Sequence, residues 1–286
     1  MTMTMTPTRK KTSTTELRER RLRELIASYD SVLVAFSGGV DSAYLAVRAS
    51  DVLGARSLAV TADSESLAGE QRGMAQQIAE QFGLRHRFVR TEELANPAYA
   101  RNDRDRCYFC KSELFAHLVP LARAEGYAHV AYGLIVDDLS DVRPGRRAAE
   151  EAGARAPLAD AGLTKADIRL LSRERGLPTW DLPASPCLAS RLPYGTTVTR
   201  DAMARVESAE QALRALGFRE LRVRHLGETA RVEIAPEELL RLADPAVRGA
   251  VESAVRDAGY AGVAIDPAGY RRGSLNLVVL PAGVSR

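Results

Sequence analysis

The sequence predicts an α/β fold, a doubly wound parallel sheet followed by a second, smaller α+β domain. Three observations predict it. Short branched apolar runs alternate with segments of helical period over the first two thirds of the chain, the order that βαβ units require. The first of these runs ends in Ser37-Gly38-Gly39-Val40-Asp41-Ser42, a glycine turn between strand and helix. Near Pro193-Tyr194-Gly195 the pattern changes to a long helix and closely spaced strands.

Taken in order, residues 15–28 are expected to form a helix, with Leu22, Leu25, Ile26 and Tyr29 on one face. Residues 32–36 read as a buried parallel strand and 43–49 as the helix after it. Residues 57–62 form the second strand, ending at Asp63-Ser64, and 67–82 a helix stopped by Gly83. A third strand is expected at 85–89, a helix at 107–124 carrying Leu114, Leu118 and Leu121, and a fourth strand at 129–132, closed by Gly133. Residues 164–175 read as a helix with Thr164 as N-cap, Asp167 at N3 and a Leu163–Ile168 staple. In such a Rossmann-like sheet ligands bind outside the carboxyl ends of the strands, where the loops 37–42, 62–64 and 133–143 begin. Beyond residue 195, a helix at 199–216 and strands at 221–226, 230–235, 263–265 and 275–279 are expected, with a hairpin between the first two strands and Pro236 opening a helix. The expected domains are 15–195 and 196–286, after a disordered tail over 1–14 that is Thr-rich, basic and without an amphipathic face.

Composition limits the function classes. Of the 40 basic residues only Lys10, Lys11, Lys111 and Lys165 are lysine, so the basic side is almost entirely arginine, the better fork for phosphate and carboxylate. A net charge of +3 does not call for a nucleic-acid partner, and no run approaches the length that spans a bilayer. The expected location is the cytoplasm. Three cysteines without a secretory signal point to metal or catalytic use rather than disulfides.

The loop 37–42 is built for a polyphosphate. Glycine lets the backbone approach a ligand, the following helix offers its unpaired N–H groups, and Ser37 and Ser42 add hydroxyls. It lacks the Lys-Ser/Thr of a Walker A loop and the third glycine of the dinucleotide fingerprint. Asp41 would repel phosphate unless Mg²⁺ sits between them. These six residues resemble the pyrophosphate (PP) loop of the ATP pyrophosphatases, which cleave ATP between the α and β phosphates.

A second segment is Asn96-Pro97-Ala98-Tyr99, Asn102 and Arg106-Cys107-Tyr108-Phe109-Cys110-Lys111; a third is Ser185-Pro186-Cys187-Leu188-Ala189-Ser190-Arg191 with Pro193-Tyr194-Gly195-Thr196-Thr197. Between them lie Gly133 and the acidic run Asp137, Asp138, Asp141. Together with the loop, these segments resemble the ATP-dependent sacrificial sulfur transferases of the LarE family, over residues 31–274. The resemblance implies adenylation of a carboxylate of pyridinium-3,5-biscarboxylate mononucleotide, then its conversion to a thiocarboxylate on the way to the nickel-pincer nucleotide of lactate racemase. One version of the family sacrifices the sulfur of a single cysteine; the other holds a [4Fe-4S] cluster on three, the version this chain resembles.

The resemblance implies ATP on Ser37, Gly38, Gly39, Asp41, Ser42, Asp63, Ser64 and Gly133, with Asp41, Lys111 and Cys187 as catalytic residues. It implies a sulfide source as co-substrate and a homo-oligomer. On the residues alone, Cys107 and Cys110 sit one helical turn apart, and Cys187 is expected in the loop after the last strand. Three thiolates leave one iron of a cubane open. Zinc with His117 as fourth ligand, or unligated thiols, are the alternatives. Asp137 and Asp141 are candidate Mg²⁺ ligands. Arg222 and Arg224 share a strand face and, with Arg191 and Arg271, can grip an anionic substrate; the other reading is a solvated edge strand. A PP-loop tRNA thiolase and a non-catalytic nucleotide-binding module are the rival functions.

Overall fold

The computed structural model describes residues 13–139, 144–183 and 186–271. The strand expected at 275–279, Asp141, and most of the N-terminal tail lie outside the described residues.

The chain opens with α1 (Thr14–Ala27), β1 (Val32–Ala35), α2 (Val40–Leu53), β2 (Ser57–Asp63), α3 (Gly69–Gln81) and β3 (His86–Arg90). A short α4 (Pro97–Ala100), the long α5 (Arg106–Ala124) and β4 (His129–Tyr132) follow. These strands make one parallel sheet in the order β3-β2-β1-β4. The chain therefore winds one way from β1 through β3 and crosses over to β4, so the topological switch point lies between β1 and β4. All four residues of β1 are buried, as a strand covered on both faces must be. Val32 and Val34 pack with α1, α2 and α3, while Leu33 and Ala35 pack with Phe115, Leu118 and Ala122 of α5.

Next come α6 (Pro144–Glu151), α7 (Pro157–Asp160) and α8 (Lys165–Glu174). The Thr164–Asp167 capping box read from the sequence is present. Asp167 also accepts hydrogen bonds from Thr15 and Arg18 of α1, and despite its partial burial these donors hold its carboxyl down to about 2. Ile168 and Leu171 of α8 pack into the same core as α2.

The remaining elements are α9 (Arg200–Ala215), β5 (Leu221–Leu226), β6 (Thr229–Ile234), α10 (Pro236–Leu239), α11 (Pro245–Asp257) and β7 (Gly262–Ile265). They form a second sheet in the order β5-β6-β7, with β5 and β6 antiparallel as the hairpin reading requires and β7 parallel to β6. Leu221, Val223, Val232 and Ile234 face Ala209 and Leu213 of α9 and Val251 and Val255 of α11. The opposite face carries Arg222, Arg224, Arg231 and Glu233, by the period of two along a strand. The sequence reading passed over α11, although Asp244 caps it and Pro245 opens it.

The two sheets are joined by one buried knot. Tyr99 packs with Leu188, Leu192, Val198 and Met203, which ties α4 to the 3₁₀ turn Leu188–Arg191 and to α9. At its centre is Asn102, fully buried with φ +59°. Its Nδ2 donates to the carbonyls of Pro193 at 2.7 Å and Thr196 at 2.9 Å. Its Oδ1 accepts from Arg106, which also donates to the Ala189 carbonyl at 2.9 Å. Among the described residues no helix is long and apolar enough to cross a membrane.

Asn102→Ala leaves a buried guanidinium and several carbonyls short of partners, at a φ that alanine tolerates poorly. We expect it to lower unfolding free energy by about 2 to 4 kcal/mol in urea denaturation. A curve superimposable on that of the parent protein would contradict the clamp.

Candidate active site

The glycine loop lies at the switch point, at the carboxyl end of β1. The helix after it starts inside the loop, at Val40 rather than at residue 43, so the loop's second half is the first turn of α2. Gly39 caps α2 without a side chain, and its own N–H reaches the Ser37 hydroxyl at 3.4 Å. Gly38 has φ +73°, and a Cβ there would meet the Gln71 carbonyl of α3 at 2.9 Å, so only glycine fits. Gly39 has no such constraint; its use is as a bare cap. Ser37 and Ser42 face each other, Oγ to Oγ, at 3.0 Å, and Ser42 also donates to the Gly39 carbonyl at 3.2 Å. Gly133 closes the other side: a Cβ there would come within 2.9 Å of the Ser42 nitrogen.

Asp41 faces a partner that sequence reasoning missed. Lys165, the first residue of α8, places Nζ 2.6 Å from one Asp41 carboxylate oxygen and 2.5 Å from the other. Burial raises the Asp41 pKa above its ordinary value, and Lys165 pulls against that rise. The backbone N–H of Lys165 donates to Asp137 at 2.9 Å, so this carboxylate braces α8. Asp138 is close enough to act on Asp41 electrostatically, and Asp141 lies outside the described residues. A Mg²⁺ ion takes one or two carboxylates plus phosphate oxygens and water, and Asp41 supplies one such carboxylate beside the loop. The one signal for Lys165 in the sequence was the rarity of lysine.

At the end of β2, Asp63 pairs with Arg72 at 3.1 Å and Ser64 meets Ser66 at 3.0 Å. Ser66 donates to the buried Glu93 at 2.6 Å, and its carbonyl accepts from the N–H of Leu188 at 2.9 Å. The nucleotide loops are thereby tied to the residue that follows Cys187.

The three cysteines converge, though by a different route from the one expected. Among the described residues no strand leads into Cys187; it sits just before the 3₁₀ turn Leu188–Arg191, held there by the knot around Asn102. Cys110 and Cys187 both pack against the cluster around Tyr99 and Phe109, and Cys107 is exposed. Burial, and after it the neighbouring Cys187, push the Cys110 thiol above its ordinary value, while Lys111 counteracts the rise. His117 is bonded to Glu113 at 3.0 Å rather than turned to the thiols. Among the described residues no three His, Cys, Asp or Glu side chains stand close enough to hold one metal ion. In an iron–sulfur cube each thiolate binds its own iron, so its thiols stand farther apart than the ligands of a single ion.

The arginines divide. Arg191 is 1% exposed and forks onto Glu210 with both bonds at 2.9 Å, and it also donates to the Pro186 and Cys187 carbonyls. It fixes the backbone of Cys187, so the expected direct grip on substrate is corrected to a positioning role. Arg224 pairs with Glu233 at 2.9 Å and donates to the Ser190 carbonyl at 3.2 Å. Arg222 stacks on Tyr270 at 5.0 Å; burial, then Arg191, lower its pKa. These two share a face as expected, but they are buried, so the solvated-edge reading fails. Arg271 lies 3.9 Å from Asp266 and is half exposed.

The family model for asparagine synthase matches residues 19–119, the part that carries the glycine loop and the cysteine pair. A Synechocystis protein called uncharacterized protein slr1717 is 44% identical over 264 residues, 92% of this chain and 98% of that one. The pyridinium-3,5-bisthiocarboxylic acid mononucleotide synthase of Lactiplantibacillus plantarum is 39% identical over 247 residues, 86% of this chain and 88% of that one. With that identity over nearly the whole of both chains, and a PP loop at the switch point of its sheet, this chain belongs to the LarE family of PP-loop ATP pyrophosphatases.

Proposed function

We propose that this protein adenylates a carboxylate of pyridinium-3,5-biscarboxylate mononucleotide and converts it to a thiocarboxylate, a step of nickel-pincer nucleotide synthesis. The observation that carries the reading is the direct link between nucleotide loop and thiol wall, the 2.9 Å bond from the Leu188 N–H to the Ser66 carbonyl. The likeness to the L. plantarum synthase supports the choice of substrate.

The N–H groups at the start of α2, with Ser37 and Ser42, cradle the phosphates of ATP. A substrate carboxylate oxygen attacks the α-phosphorus, and the bond from that phosphorus to the bridging oxygen breaks. Pyrophosphate leaves and an acyl-adenylate remains. Hydrosulfide then attacks the acyl carbon; the C–S bond forms, the C–O bond to AMP breaks, and one proton is released. Loop and helix dipole supply positioning and charge neutralisation. Cys107, Cys110 and Cys187 would hold a [4Fe-4S] cluster, whose chemistry when bound is to present sulfide in deprotonated form. Lys111 adds positive charge beside Cys107 and Cys110. The apolar packing around Tyr99 and Phe109 excludes the water that would hydrolyse the adenylate. Arg271, half exposed, receives an anionic group of the substrate, and the buried Arg222 and Arg224 add positive charge behind it. A homo-oligomer belongs to the same reading.

Turnover with ATP and the bis-carboxylate is expected to release AMP and pyrophosphate, and Asp41→Ala to abolish that release with an unchanged circular dichroism spectrum. Release of ADP and phosphate would contradict the assignment.

Arg271→Ala is expected to raise KM for the mononucleotide by roughly ten- to a hundredfold, the scale of one charged hydrogen bond, with KM for ATP unchanged. An unaltered KM for the mononucleotide would return Arg271 to its ion pair with Asp266.

A further inference from the structure

The Lys165–Asp41 pair sits where a nucleotide must arrive. Its backbone is fixed from three directions: the Thr164–Asp167 capping box, the bond from the Lys165 N–H to Asp137, and the packing of Ile168 in the α2 core. Only the side chain is free to move, and it is 38% exposed. The neighbouring cation on α8, Arg169, is committed to the carbonyls of Trp180 at 2.8 Å and Leu182 at 2.7 Å. Lys165 is also one of four lysines among 40 basic residues. An ammonium is a compact, hydrated point charge that changes partners easily, whereas a guanidinium forked onto a carboxylate resists exchange. Lysine at this position therefore suits a cation that must let go.

We propose that Lys165 is an exchangeable counter-ion of the pyrophosphate loop: it holds Asp41 before nucleotide binds, gives the carboxylate up to the incoming Mg²⁺, and turns its ammonium to the departing pyrophosphate. Before binding, the pair cancels a charge that would repel ATP. After exchange, the same ammonium faces oxygens whose negative charge grows as the α–β bond breaks, where a fixed cation is most effective. No covalent bond forms to Lys165, and its proton stays on Nζ. The inference rests on the adenylation reading only for its last step; the competition for Asp41 stands on the ion pair alone.

The test follows Mn²⁺ binding to the full chain by electron paramagnetic resonance, without nucleotide. Lys165→Met removes the internal competitor and should tighten Mn²⁺ binding by about fivefold or more, the lower range of coupling between two ligands of one site. Lys165→Arg, whose fork on Asp41 resists exchange, should bind Mn²⁺ more weakly than the parent. Lys165→Met combined with Asp41→Asn should lose the gain. In steady state, Lys165→Met should release pyrophosphate roughly a hundredfold more slowly, on the scale of one lost transition-state charge contact. Unchanged Mn²⁺ affinity in Lys165→Met, a gain that survives Asp41→Asn, or undiminished pyrophosphate release would each overturn the proposal. If the parent protein yields ADP and phosphate, the adenylation reading fails while the Mn²⁺ result still decides whether Lys165 competes for Asp41.

Discussion

Asn102 is the constraint on which the arrangement of this protein depends. Its side-chain amide bonds to the carbonyls of Pro193 and Thr196 and receives Arg106, and Arg106 reaches the Ala189 carbonyl. The start of α5, with Cys107 and Cys110, is thus pressed against the segment that bears Cys187. Burying a guanidinium is costly unless every donor finds an acceptor, so the clamp tolerates one geometry. Against the penalty of burial, the sulfurs of Cys187 and Cys107 hold the Arg106 pKa above its ordinary value. The residue that fixes the thiol wall is therefore also part of its electrostatics.

Arg191 repeats the device one turn later. Its fork onto Glu210 joins the 3₁₀ turn to α9, and despite burial Arg191 holds the Glu210 carboxyl below its ordinary value. Glu210 in turn accepts the N–H of Val223, which sets β5 and hence the arginine face. Buried polar contacts run from Asn102 through Arg106 to the 3₁₀ turn, and from that turn through Arg191 and Glu210 to the second sheet. Along them the site divides by charge. At the loop end Lys165 pairs with Asp41, and at the far end Arg224 and Arg231 share the one carboxylate of Glu233. That division suits a substrate that brings a carboxylate to the α-phosphorus of ATP while its other anionic groups point away.

Much of this was legible in the sequence because it is local. The strand–glycine–helix order placed the loop, and Thr164 with Asp167 marked the start of α8. The alternation of Arg222 and Arg224 set them on one face. What escaped depends on contacts between distant segments. Lys165 and Asp41 are far apart in sequence and meet only because α8 packs on α2. Asn102 looks like any loop asparagine until the carbonyls of Pro193 and Thr196 are brought to it. The same distance explains the correction to Arg191: spacing alone cannot reveal that a carboxylate on α9 takes its fork. The helix α11 was missed for a weaker reason, since the Asp244-Pro245 start signal was present.

The central claim is that sulfur reaches an acyl-adenylate from the wall formed by Cys107, Cys110 and Cys187 without consuming the protein. The most direct measurement is mass spectrometry of a complete anaerobic reaction of ATP, bis-carboxylate mononucleotide and sulfide, reading small molecules and intact chain together. The account predicts a mononucleotide in which one carboxylate oxygen is replaced by sulfur, in excess over protein, and a chain of unchanged mass. A chain that has lost the elements of H₂S at Cys187, with one product per chain, would contradict it.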